Sequence, residues 1–208
     1  MIIYTCITNS YDVIPDHYYD PDVRYVLFHD GTAVPQEPWE LIELDVDVDC
    51  PRRLSAYPKI NPHKYFDEGE NTVWIDGCYI MTKEFVELAK QRFPFTILRH
   101  PNRFSYYDEM LEGFECSFFG FREGIELTRI LFEDGYNFRD YRSPLGTIIY
   151  RTINDDTITH SSALASCGSD RASVGNRESS PRHCILAKNK WIGSPRLDED
   201  QILSVCRQ

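Results

Sequence analysis

The chain has 208 residues, 42% hydrophobic and 13% aromatic, which suits one packed domain with an appendage and excludes disorder throughout. A net charge of −11 repels phosphate backbones and anionic lipid, which argues against nucleic acid or a membrane surface as partner. No apolar run approaches the roughly 18 residues that a membrane-spanning helix needs, so no span is expected.

From the N-terminus, Ile2–Thr8 reads as a short buried strand rather than a signal peptide, because no basic region precedes it. Tyr25–His29 is a second strand, ended by the turn pair Asp30-Gly31, and Trp39–Leu44 a third. Asp45, Asp47 and Asp49 alternate along what reads as an acidic strand edge. The prolines of PRRLSAYPKINPHKYF suggest a helix entered after Pro58, over 61–66. Thr72–Asp76 is a fourth strand with Gly77 behind it. Thr82 is an N-cap, followed by Phe85, Leu88, Ala89 and Phe93 at helical spacing as far as Pro94. Phe95–Arg99 is a fifth strand. Ser105 with Asp108 forms a capping-box pattern opening a helix to about Phe114. A further helix covers Ile125–Phe132, ended by Gly135, and Thr147–Arg151 is a late strand. This alternation predicts an α/β fold with a mixed, mostly parallel sheet flanked by helices.

Composition changes near residue 155. Every Tyr and Phe lies before it, and beyond it Trp191 is the single aromatic residue. The acidic excess belongs to the same first part, and the remainder is rich in serine. A packed domain is therefore expected at 1–155. Residues 156–208 read as a diverged, loosely packed tail or a frameshifted end of the reading frame. The seven cysteines are irregularly spaced, with no CxxC or Cys/His zinc pattern, and read as reduced thiols in a cytoplasmic protein.

In open α/β sheets ligands bind at the carboxyl ends of strands, where Asp12, Asp30 and Asp76 fall. Asp76 ends an apolar run and precedes Gly77, which permits close approach. It could hold magnesium or manganese against a diphosphate, or simply cap a turn. Lys59 and His63 lie in a basic segment that could neutralise phosphate or form a solvated face. His100, Arg103 and Glu109 flank the start of a helix, where anions are favoured. No nucleophile elbow, Walker loop or dinucleotide fingerprint is present.

Taken in order, YTCITNSYD, YVLFHDG, PKINPHKYF, VWIDGCYIM, HPNRFSYYDE and GYNFRDYRSPLGTIIYRTIND resemble a family of glycosyltransferases from bacteria, phages and plants, once catalogued as a domain of unknown function. Its plant members are the turgor-regulation-defect and mucilage-related proteins. The resemblance covers residues 1–154 and implies a GT-A-like fold. It also implies transfer of a hexose from a nucleotide-sugar donor to a glycan or lipid-linked saccharide acceptor. Donor contacts would come from Thr8, Asp12, Asp30, Lys59, His63, Asp76 and Gly77, with a divalent cation, manganese or magnesium, at Asp76. Sugar or acceptor contacts would come from His100, Arg103, Glu109 and Arg151. The chain departs from the family at Ala56, where an arginine is usual, and after Arg171, where no Asp-Gln follows. Two alternatives stand beside transfer: a non-catalytic nucleotide- or carbohydrate-binding domain that has lost its acceptor motif, and a metal-dependent phosphoesterase using Asp12, Asp30 and Asp76.

Overall fold

A computed structural model describes residues 1–48, 50–91, 95–99, 102, 105–116, 120–133, 138 and 144–157. His100, Arg103, Phe93, Pro94, Gly135 and the tail beyond Thr157 lie outside the described residues. The described residues fall into two compact units, one from residues 1–98 and 146–157, the other from residues 99–145.

The fold is α/β. Among the described residues six strands form one mixed sheet: β1 (Ile2–Ile7), β2 (Arg24–His29), β3 (Glu40–Glu43), β4 (Asn71–Ile75), β5 (Phe95–Arg99) and β6 (Pro144–Thr152). Their order is β3-β2-β1-β4-β6-β5. β1 pairs in parallel with β2 and with β4, and β2 in parallel with β3, whereas β6 runs antiparallel to β4. All six residues of β1 are buried, as expected of a central parallel strand covered on both faces.

One face of the sheet carries Tyr4, which meets the rings of Phe28, Phe66 and Trp74 edge-on at 6.1, 4.9 and 5.3 Å. Helix α1 (Pro51–Ile60) packs against β1 and β2, and a single 3-10 turn (Pro62–Lys64) follows it. On helix α2 (Lys83–Ala89), Phe85, Val86 and Ala89 are buried, and the Phe85 ring lies 6.3 Å from that of Tyr150 on β6. The helix starts where expected, because the Thr82 hydroxyl accepts the Phe85 amide.

The second unit contains α3 (Tyr106–Glu115) and α4 (Phe121–Glu133), joined by a cluster of Tyr106, Met110 and Leu131 with Phe114, Leu127 and Phe138 against it. Gly124 makes this contact possible, since a Cβ there would lie 2.6 Å from Phe114 Cζ. The Ser105–Asp108 capping box is formed in both directions.

Three expectations need correction. The helix expected over 61–66 lies earlier: Pro51 occupies the start of α1, where a missing amide costs nothing, and Pro58 sits inside the helix. Residues 45–48 form no strand: β3 stops at Glu43, and the Leu44 amide makes the last rung to β2 by donating to the carbonyl of His29; Asp49 is outside the described residues. The α2 core uses Val86 rather than Leu88.

Candidate active site at the carboxyl edge of the sheet

β1, β2 and β4 are parallel, so Ile7, His29 and Ile75 end at one edge. The chain runs outward from β1 to β2 and β3, then crosses back to place β4 on the other side of β1. Strand order therefore reverses between β1 and β4, and the connections leaving them diverge. Such a switch point is where open α/β sheets hold ligands. The residues there are Thr8 to Asp12 after β1, and Asp76 and Gly77 after β4.

Asp76 is fastened on several sides. Its amide donates to the Thr147 carbonyl at 2.9 Å, which continues the antiparallel ladder past the end of β4. Side-chain alternation puts Trp74 on the same face, and its indole Nε1 donates to Asp76 Oδ1 at 2.7 Å. Lys59 Nζ, from the last turn of α1, donates to the same oxygen at 3.3 Å. The Lys59 ammonium also lies 5.2 Å from the centroid of the Trp74 ring, within cation–π range. Both members of this ion pair keep part of their surface in solvent, 24% for Lys59 and 32% for Asp76.

Two glycines shape the surroundings. A Cβ at Gly77 would lie 3.2 Å from Ile7 Cγ1 and 3.7 Å from Asp12 Oδ2, so the turn after β4 presses against the end of β1 and Asp12 reaches it. A Cβ at Gly146 would lie 3.4 Å from Lys59 Nζ, an ordinary van der Waals contact, so this position on β6 lies beside the ammonium. Burial pushes the Cys78 thiol pKa up, and the Asp76 and Asp12 carboxylates push it further.

The other sequence candidates separate by place. Thr8 is buried, and its hydroxyl donates to the Pro51 carbonyl at 2.8 Å, tying the end of β1 to the start of α1. Asp30 is a loop lock. Its carboxylate accepts the Asn9 amide at 2.7 Å, the Thr32 amide at 3.2 Å and the Thr32 hydroxyl at 2.6 Å. Burial alone would raise its pKa, but these bonds hold the carboxyl below its usual value. The lock restrains two non-glycine residues in left-handed backbone, Asn9 at φ 54° and Ser10 at φ 49°, a conformation that costs about 1–2 kcal/mol per residue.

Arg151 stands away from Asp76 along the ladder. Arg151 is 1% exposed and opposite Thr72, four residues along the ladder from the Asp76 level, or about 14 Å at strand spacing. Burial, then the neighbouring Lys64 and Arg151, lowers the basicity of His63. Burial pushes the Tyr4 hydroxyl up to about 12, partly offset by Arg151. Arg151 thus lies in the core and not on a surface that an acceptor could reach. Its side chain faces the packed layer because it shares a face with Trp74 through the register of β4 and β6. Glu109 sits in the first turn of α3 in the second unit, where a carboxylate complements the helix dipole.

A divalent cation at Asp76 fits these residues poorly. One carboxylate oxygen already takes an ammonium and an indole N–H. Among the described residues no group of three or more His, Cys, Asp or Glu is placed to hold a metal.

A depression of about 290 Å³ lies at the opposite, amino edge, away from Asp76, and is lined by Met1, Asp22, Val23, Asn71, Ala89 and Lys90. The cation there is committed, since Lys90 binds Asp20 at 2.6 Å. Among the described residues, no helix is long and apolar enough to cross a membrane. Comparison with family models, with curated proteins and with solved structures finds no match.

Trp74 and Gly146 are site residues that the sequence reading did not single out. The signal for Trp74 was present: in TVWID it stands two positions before Asp76, on the same strand face.

Proposed function

We propose that the chain is a glycosyltransferase that moves a hexose from a nucleoside diphosphate sugar to a glycan or lipid-linked saccharide acceptor. One observation carries the reading: the Asp76–Lys59–Trp74 cluster stands at the switch point between β1 and β4, with Asp12 and Gly77 beside it. The ordered resemblance of residues 1–154 to a glycosyltransferase family supports it, as does the α/β sheet.

In such a transfer the bond between the anomeric carbon and the diphosphate oxygen breaks, and the acceptor hydroxyl oxygen bonds to that carbon and gives up its proton to the departing diphosphate or to solvent. Negative charge grows on the departing diphosphate. A cationic group held beside it stabilises the transition state more than the ground state, which is the condition for catalysis. Lys59 is such a group, preset by Asp76 and the Trp74 ring, so little reorganisation is needed when the charge develops.

A thermal-shift panel of nucleoside diphosphate sugars tests the reading. A true donor at about 100 times its dissociation constant should stabilise the fold by roughly 2.7 kcal/mol. Release of free nucleoside diphosphate when saccharide acceptors are added would establish transfer. Stabilisation without release under any acceptor would favour a non-catalytic binding domain. A panel with no stabilising member would contradict both.

A further inference from the structure

We propose that the positive charge facing the donor diphosphate is supplied by Lys59 itself, with Asp76 as the residue that positions it, so that anion binding requires no divalent cation. The identity of the anion rests on the glycosyltransferase reading; the anion site rests on the geometry alone.

Lys59 is held by two neighbours. Asp76 Oδ1 accepts from it at 3.3 Å, and the Trp74 ring lies 5.2 Å away. A lysine side chain ordinarily loses much rotamer freedom when it binds an anion, and these contacts have removed part of that freedom in advance. The ammonium has three N–H donors, and Asp76 takes one. The side chain remains 24% exposed, so the remaining donors have a route to a ligand.

The same contacts disfavour a metal ion at this carboxylate. Asp76 Oδ1 already carries two donors, Lys59 Nζ and Trp74 Nε1. A divalent ion on Asp76 would stand beside a fixed ammonium and meet like-charge repulsion. The carboxylate is better placed to orient the lysine and to offset its charge while the site is empty of ligand.

The test is isothermal titration of the full chain with uridine and guanosine diphosphates and with inorganic pyrophosphate, each in EDTA and in manganese. The proposal expects binding in EDTA within about threefold of that in manganese. Lys59→Met keeps the aliphatic stem over Trp74 and should weaken binding at least tenfold, whereas Lys59→Arg should stay within about threefold. Asp76→Asn keeps an oxygen for Lys59 and Trp74 and should retain EDTA-resistant binding, while Asp76→Ala should weaken it. Circular dichroism and melting curves of each variant confirm that the fold survives. Binding that appears only with manganese, or that is lost in Asp76→Asn yet unchanged in Lys59→Met, would overturn the proposal. Lys59-dependent binding of pyrophosphate without binding of any nucleotide would uphold the anion site and refute the nucleotide-sugar reading. Absence of binding to every probe in both conditions would overturn both.

Discussion

At the scale of single residues, Gly77 shows how closely the candidate site is built. A side chain there would press on Ile7 and crowd Asp12, so Gly77→Val should cost about 1–3 kcal/mol in urea unfolding and weaken donor binding. His17 makes a pH prediction. Its Nδ1 accepts the Met81 amide at 3.1 Å, and its ring packs near Tyr19 and Trp39. Burial pushes its pKa down to about 4, against a smaller upward pull from Asp16. Unfolded, a histidine titrates near 6.5, so between about 6.5 and about 4 the unfolded chain binds more protons than the folded one. The contribution of His17 is therefore fully present above that window and lost as pH falls through it. Denaturant titrations should show stability falling over that range, with a shallower fall in His17→Asn. At this scale the sequence reading was partial. Acids at strand ends were visible, and so was Lys59 as a phosphate neutraliser. That Lys59 and Asp76 are ion-paired was not, because they meet across 17 positions through the packing of α1 on the sheet. The loop bonds of Asp30 and the burial of Arg151 were out of reach for the same reason. A carboxylate after a strand looks alike whether it faces a ligand or the neighbouring loop, and a strand arginine gives no sign of which face its partner covers.

At the scale of elements, local signals read well wherever the controlling chemistry is local. Both caps, at Thr82 and Ser105, were legible from adjacent residues. Ser105→Ala should cost α3 about 1 kcal/mol in a denaturant midpoint. Because Ser105 and Asp108 exchange bonds, Ser105→Ala with Asp108→Ala should lose less than the sum of the two single losses. The helix α1 was misjudged because Pro58 looks like a boundary, whereas it sits at the eighth position of a ten-residue helix that ends two residues later. The antiparallel direction of β6 was equally invisible, since strand direction depends on a pairing between segments some eighty residues apart.

At the scale of the whole molecule, the α/β class follows from the alternation of strands and helices, while the strand order, and with it the switch point, emerges only from the assembled sheet. The division into two compact units within residues 1–157 has no counterpart in composition, which changes only near residue 155. From that change, brief trypsin treatment should cut the tail first and leave a folded fragment of about 155 residues, checked by mass. The central claim is that the carboxyl edge between β1 and β4 receives the nucleotide sugar. Hydrogen–deuterium exchange of the full chain with and without a saturating, stabilising nucleotide sugar tests it most directly. Slowed exchange is expected in residues 7–12, 74–79 and 146–148, at the sheet edge around Asp76. Protection confined to Met1, Val23 and Asn71 at the amino edge, or spread nowhere in the sheet, would contradict it.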